Sequence, residues 1–361
     1  MSKVVADNWL FSLSEWYSKI DHQKTEFIRK EDNEKRDRLE ILHQEIGLPY
    51  DRPDRFPAQA VKERSAQFLN YLQKNARRLC AFRLVPKERY LPKLRLRGKS
   101  VAEALEWFDN QSIDFNNYTL EIVPHTENTL WSSIFIITKK GVVGEIITGG
   151  HSQLTLGQAE NEPLFFKFDF KNWDFSQSQL AAENEIKRAL KLLQIENPAK
   201  QKKLFQKLNA KFINNYLAGY FEFVTWPDNQ MYFIDYNRLI ADLIDFNDFI
   251  VLSHAKGLRG IFNKKEKVVG RVMLVEPSQN IQNDIAPGSI LICQEVSPQH
   301  LPMMKKLSAI ISQKGGLLSH AAIVARELGV PYIVADKKIT KILKHGDKIE
   351  IDLARGIIKI I

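Results

Sequence analysis

The residues whose types and spacing most clearly announce chemistry lie at 315–331, where Gly315, Gly316, Ser319, His320, Arg326, Gly329 and Pro331 punctuate an otherwise apolar run. Gly315 and Gly316 permit backbone conformations closed to other residues. Ser319 is a favourable N-cap, and the composition of 320–328 forms helix. Gly329 is placed to stop that helix and Pro331 to prevent its resumption. A side chain in the first turn faces unpaired backbone N–H groups and the positive end of the helix dipole, so a phosphoryl group on His320 would be stabilised there. Arg326, six residues further on, turns away from His320 and reads as a local anchor of the motif, with a phosphoryl contact as the other reading.

A second set of reactive types occupies 219–238. Apolar and polar residues alternate on both sides of Pro227-Asp228-Asn229, the pattern of a hairpin. Glu222 and Asp235 then fall on paired strands, and Asn237 shares a face with Asp235 because strand side chains repeat every second residue. Such hard oxygen ligands can hold Mg²⁺ against nucleotide phosphates; a solvated cross-strand acidic pair is the alternative.

Elements that would position these residues can be read on either side. The C-terminal segment alternates strand and turn signals through Gly270–Val275, Pro287–Cys293, Leu307–Ser312, Pro331–Ala335, Gly346–Asp352 and 357–361, a β/α/β pattern. With the Gly315–Pro331 run, it resembles the phosphohistidine swivelling domain of phosphoenolpyruvate-utilising enzymes, the family of phosphoenolpyruvate synthase and pyruvate phosphate dikinase. The resemblance implies that His320 is the phosphoryl carrier. Leu318 stands where several members carry Thr. The 219–238 hairpin is similar to the closing hairpin of ATP-grasp folds, which implies metal binding by Glu222 and Asp235 and a nucleotide contact for Asn237. Residues 118–125 resemble the hinge strand of that fold, with Glu121 toward the adenosine. Residues 131–157 resemble the dikinase stretch in which two strands lead to a Gly-Glu pair and a Gly-rich loop. That match puts Glu145 at nucleotide or metal and Gly149 and Gly150 over phosphates. His151 reads either as a second functional histidine or as a loop hydrogen-bonder.

Arg83, Lys87, Arg89, Lys93, Arg95, Arg97 and Lys99 form a basic tract ahead of these elements. The ATP-grasp resemblance implies that Arg83, Lys93 and Arg95 reach the triphosphate; a solvated strand face and, third, a nucleic-acid patch are the other readings. The net charge of +9 favours anionic ligands, ATP among them. No stretch reaches the roughly 18 apolar residues of a membrane span, and the N-terminus lacks a secretory apolar core. Cys80 and Cys293 suit a reducing cytoplasm better than a disulfide scaffold, and Cys293 reads as a core residue.

The expected architecture is α/β (α+β). A helical region at 1–78 precedes an ATP-grasp-like nucleotide-binding domain at 79–252, a linker at 253–267 that holds Lys264, Lys265 and Lys267, and the swivelling domain at 268–361. In the N-terminal region, Trp9–Ile46 is expected as helix with Trp16, Ile20, Phe27, Leu39 and Leu42 on its buried stripe, and Ala58–Arg78 as a second helix. A helical cap and an acceptor-binding surface are its two readings. A TIM barrel of about 250 residues has no room beside these domains. Family analogy therefore implies an ATP- and Mg²⁺-dependent phosphotransferase. In it, His320 attacks the β-phosphate, AMP leaves, and an unknown small-molecule or protein acceptor takes the phosphoryl group. A non-catalytic phosphocarrier charged by a partner enzyme, and a polyanion-binding protein, are the alternatives. No membrane partner is expected.

Overall fold

Runs of apolar residues at 131–148 and 219–237 build the sheet on which the site rests. The computed structural model describes residues 13–20, 23–88, 91–157, 159, 162–243, 249–251, 258–261, 267–275, 285–335, 339–353 and 355–361. Met231–Asn237, Gly219–Thr225, Trp131–Thr138, Gly141–Thr148, Leu164–Phe168 and Trp173–Phe175 lie side by side in that order, all antiparallel. Alternation along the strands separates two faces. Phe135, Phe166, Phe221, Phe223 and Phe233 pack on one face with residues of helices Leu180–Leu193 and Pro198–Leu208. Ile134, Ile136, Val143 and Tyr220 lie on the other.

A four-stranded sheet stands beside it in the order Asp54–Pro57, Tyr118–Pro124, Leu79–Pro86, Leu94–Ser100. Helix Val101–Asp109 starts from a capping box, in which Ser100 and Glu103 satisfy each other's backbone N–H groups. It buries Val101, Ala104, Leu105 and Phe108 against Phe82, Leu84, Leu120 and Ile122.

The C-terminal segment forms an eight-stranded sheet. Its middle strands, Tyr332–Ala335, Ala309–Ser312, Ile290–Cys293 and Lys267–Val275, run parallel. Helix His320–Glu327 makes the crossover between Ala309–Ser312 and Tyr332–Ala335. Cys293 is buried in a strand, as its apolar surroundings suggest. The mixed α and β layers agree with the expected fold class, and the N-terminal helices are present.

The N-terminal region differs from its sequence reading in four ways. The first predicted helix is three, Leu13–Lys19, Thr25–Asn33 and Lys35–Ile46, while Trp9 lies outside the described residues. Phe27 is 65% exposed and Ile28 takes the buried position, because the break between helices shifts the apolar face by one residue. The second predicted helix divides into Ala58–Lys62 and Ala66–Asn75 where Arg64 adopts φ 57° and Ser65 caps the next turn through Phe68 N–H. Residues 1–78 are also not helical throughout: Asp54–Pro57 pairs with Tyr118–Pro124 and completes the four-stranded sheet.

Part of the expected linker is strand, since Leu258–Ile261 pairs with Tyr332–Ala335. Lys264 and Lys265 lie outside the described residues, as does Arg89 of the basic tract.

One hydrophobic core crosses the boundaries drawn from sequence. Leu13, Trp16, Tyr17 and Ile28 share it with Ile134, Ile136 and Tyr220 of the six-stranded sheet and with Leu317, Leu318, Ala321 and Val324 beside His320. At about 25 cal/mol per Å² of apolar surface buried, such a shared core contributes favourably to the packing of helix His320–Glu327 against these segments.

Candidate functional site: a histidine facing a charged cavity

His320 begins helix His320–Glu327. The local sequence sets it there: Ser319 accepts the Ala322 N–H at 3.3 Å as N-cap, and Gly329 ends the helix with φ 71°. Gly315 has φ 136°, and a Cβ there would stand 2.7 Å from the Tyr332 hydroxyl oxygen, so this position requires glycine.

The imidazole lines a cavity of about 510 Å³ between the sheets and the N-terminal helices. Glu222, Asp235, Asn237, Arg83, Arg95, Gly150 and His151 line the same space, with Asp32, Lys35, Arg36 and Arg97. Burial pushes the His320 pKa down to about 4, against an opposing pull from Glu222. The ring is therefore a neutral, nucleophile-competent imidazole at pH 7.

The hairpin delivers its carboxylates as expected. Glu222 and Asp235 are register partners, and a bulge follows between Glu222 and Phe223. Glu222 accepts the Tyr220 hydroxyl at 2.5 Å and meets His151 Nε2 at 2.8 Å. Burial disfavours its charge, but His151 and Lys35 hold Glu222 well below the ordinary carboxylate range. Burial pushes Asp235 up, although Lys35 Nζ stands 3.0 Å from its Oδ2. Asp235 Oδ1 is buried with no hydrogen-bond partner. Asn237 Oδ1 accepts the N–H groups of Leu239 and Ile240, which caps the following turn.

The basic tract is split between cavity and scaffold. Arg83 and Arg95 are direct register partners on strands Leu79–Pro86 and Leu94–Ser100, a repulsive placement. Carboxylates offset it: Arg83 lies 3.3 Å from Glu121, and Arg95 lies 3.0 Å from Glu15. Arg97 reaches the cavity as well but stays exposed, so only Arg83 and Arg95 are withdrawn from a solvated strand face.

Four sequence candidates do not line the cavity. Lys93 is turned to Asp32, donating to its backbone carbonyl at 3.1 Å, and burial presses its pKa down to about 7. Glu121 is occupied by Arg83 and Arg55. Gly149 lies just behind the wall, its carbonyl accepting the Ser132 hydroxyl at 2.7 Å. Glu145 is 1% exposed and faces the backbone of the loop before His320, where its Oε2 accepts the Leu318 N–H at 3.4 Å.

Sequence reasoning missed the contribution of helices Thr25–Asn33 and Lys35–Ile46. Asp32 and Lys35 sit 3.4 Å apart and enter the cavity from the N-terminal region. Burial disfavours the charge of Asp32, but Lys93, Lys35, Arg83 and Arg95 hold it ionised, well below the ordinary carboxylate range. The available signal was the break at Asn33–Glu34 between two charged helices, which turns Asp32 and Lys35 inward together.

Two carboxylates, one of which carries the partnerless buried oxygen of Asp235, suit a divalent cation whose remaining ligands come from phosphates or water. Among the described residues no group of three or more His, Cys, Asp or Glu is arranged to hold a metal without them.

Residues 285–356 match the family described as PEP-utilising enzyme, mobile domain. Over 89 residues the chain is 43% identical to a probable phosphoenolpyruvate synthase of Pyrococcus horikoshii, covering 25% of this chain and 11% of that protein. It is 37% identical over 101 residues to another from Archaeoglobus fulgidus, covering 28% and 13%. A pyruvate kinase of Bacillus licheniformis matches at 36% over 102 residues, covering 28% and 17%. The chain thus spans only a small part of the length of these relatives. Among solved structures, the macrocyclase MdnC bound with precursor peptide MdnA from Microcystis aeruginosa matches with TM-score 0.33 and 14% identity, over 59% of this chain and 55% of that one. A RiPP-associated ATP-grasp ligase from Chryseobacterium gregarium, in complex with ADP and a leader and core peptide, matches with TM-score 0.26 and 14% identity, over 56% and 50%. Among the described residues no helix is long and apolar enough to cross a membrane.

Proposed function

We propose that the protein is an ATP-dependent phosphotransferase in which His320 takes a phosphoryl group from a nucleotide bound in the adjoining cavity and passes it to an acceptor. The observation that carries this reading is the shared cavity: a neutral imidazole at a helix N-terminus lines the same space as Arg83, Arg95, Arg97, Glu222 and Asp235. The match of residues 285–356 to the mobile domain supports it from the other side.

The chain's own groups would divide the work as phosphoryl transfer requires, by positioning and by charge stabilisation. Arg83, Arg95, Arg97 and Lys35 would bind the phosphates, while Gly150 and its loop approach them through backbone. Glu222 and Asp235 would hold Mg²⁺, which supplies charge neutralisation on the phosphates when bound. The His320 lone pair forms a P–N bond with the β-phosphorus as the bond to the α,β-bridging oxygen breaks; AMP departs with that oxygen and the ring carries a pyrophosphoryl group, whose P–O–P bond water then cleaves, releasing the γ-phosphate as orthophosphate and leaving phosphohistidine. The ring proton is carried by the other nitrogen throughout, so no base is needed at the attacking one. The first helical turn then faces the new anionic group with its N–H groups. Magnesium, phosphohistidine formation and a cytoplasmic setting belong to this proposal. The proposed division of the chain places the nucleotide domain at 79–252 with help from 31–57, and the mobile domain at 268–361.

Incubation of the protein and a His320→Ala variant with Mg-ATP tests the reading. The expected result is AMP together with an alkali-stable, acid-labile phosphate on His320, absent from the variant. ADP alone, or no phosphohistidine from folded protein, would refute autophosphorylation and favour a carrier charged by another enzyme.

A further inference from the structure

Glu145 is buried where no nucleotide contact accounts for it. It lies on strand Gly141–Thr148, paired with Ile134 and Phe165, and its backbone carbonyl accepts the Ser133 hydroxyl at 2.8 Å. Gly144 presses this strand against its neighbour: a Cβ there would stand 2.4 Å from Phe135 Cβ and 2.6 Å from the Ile134 carbonyl oxygen. The carboxylate is thus held on a rigid support and is absent from the cavity wall. What it meets belongs to the C-terminal domain. Leu318 N–H reaches Oε2 at 3.4 Å, and a Cβ on Gly316 would stand 2.7 Å from the same oxygen and 3.3 Å from the Leu154 carbonyl. Close by, a Cβ on Gly157 would stand 2.8 Å from Gly315 Cα, so the two domains touch backbone to backbone at that point as well.

We propose that Glu145 is a positioning residue for the His320 loop: its carboxylate receives the Gly316–Leu318 backbone when the C-terminal domain is docked and so aims His320 into the nucleotide cavity. This inference rests on the reading of His320 as the phosphoryl-accepting residue. The chemistry is that of a carboxyl oxygen accepting a backbone N–H, that of Leu318, a contact that carries no side-chain identity but demands close approach. Gly316 supplies that approach, since any side chain would hold the loop away from the carboxylate. Because a buried carboxylate costs several kcal/mol of desolvation, the contact opposes part of the apolar attraction between the domains. Docking is thereby precise without being permanent.

The full-length chain and its Glu145→Ala and Gly316→Ala variants discriminate this role from nucleotide binding. Three quantities are read: Mg-ATP affinity by calorimetry, backbone hydrogen exchange of residues 314–324 by mass spectrometry without nucleotide, and phosphohistidine formation at saturating ATP. Both variants are expected to bind Mg-ATP within about twofold of the unmodified chain and to exchange faster at 314–324. Both should also form phosphohistidine on the order of tenfold more slowly, the split expected of lost positioning. ATP affinity falling in step with the rate, with exchange unchanged, would make Glu145 a nucleotide ligand and overturn the proposal. Unchanged exchange and unchanged rate would overturn it equally. If the unmodified chain forms no phosphohistidine, the autokinase reading fails, yet exchange and affinity still decide whether Glu145 holds the loop. Gly316→Ala leaves the Glu145 strand untouched, which keeps the test open if Glu145→Ala does not fold.

Discussion

Acidification is the perturbation that most directly probes His320. Burial holds its pKa near 4, where an unperturbed imidazole has 6.5. Glu222 and Asp32 favour the charged ring, whereas Arg95 and Lys35 oppose it. From the mass-action relation, roughly one ring in ten is protonated at pH 5, against about 97% for an unperturbed imidazole. Two-dimensional NMR of the ring C–H resonances, assigned with a His320→Gln variant, measures this fraction. The folded pKa lies below the unfolded one, so between about pH 6.5 and 4 the unfolded chain binds the additional proton. Stability attributable to His320 is therefore full above that window and is lost as pH falls through it; His320→Gln should flatten this part of the denaturation profile. Glu222→Gln removes the largest opposing influence and should drive the pKa lower still. A His320 resonance that titrates between pH 6 and 7 in the folded protein would refute the burial argument.

Asp235→Asn should weaken Mn²⁺ binding in the presence of ADP on the order of tenfold, as read by electron paramagnetic resonance, because it removes one of two carboxylates available to a hard cation. Lys35→Met leaves Asp32 and Asp235 facing each other without their shared cation, and should cost about 1–3 kcal/mol in urea denaturation. Phe135→Ala empties a fully enclosed position stacked at 5.4 Å on Phe221 and should cost about 3–5 kcal/mol. Ser319→Ala removes the N-cap of the His320 helix, with an expected loss near 1 kcal/mol and a measurable drop in phosphohistidine yield.

The parts of the site that local chemistry dictates were legible in the sequence. Ser319, Gly329 and Pro331 bound a helix by capping and by backbone geometry, so the position of His320 at its first turn could be read directly. The pairing of Glu222 with Asp235 followed from strand alternation about a turn, and the structure has that register. Roles that depend on packing between distant segments were not legible. Arg83, Lys93 and Arg95 are one basic tract by pattern, but only the fold separates Lys93, tied to Asp32, from the two arginines in the cavity. Glu145 reads as a ligand from its Gly-Glu neighbourhood, yet its environment is set by a loop 173 residues away. The inward turn of Asp32 and Lys35 depends on where one short helix stops and the next starts, and helix boundaries are poorly fixed by propensity alone.

The docked arrangement places opposite demands on one interface. Under the proposed function, the C-terminal domain would have to hold His320 at the cavity long enough to react and then release it, which requires docked and undocked states within a few kcal/mol of each other. The apolar part of the contact, Trp16, Tyr17 and Ile28 against Ala321 and Val324, would by area favour docking strongly. The charged part opposes it or adds little. Glu145 is desolvated on docking, and Lys24 and Glu327, 2.6 Å apart at the far end of the His320 helix, form a pair in which Lys24 is 38% exposed and which adds at most about 1 kcal/mol. Lys24→Met is accordingly expected to change stability by less than about 1 kcal/mol, while increasing hydrogen exchange over 320–328. Truncating Trp16 to Ala should instead expose helix His320–Glu327 and raise proteolysis near it. If Lys24→Met destabilised docking as much as Trp16→Ala does, electrostatics rather than apolar contact would hold the domain, and the compensating role assigned to the buried carboxylate of Glu145 would have no attraction to balance.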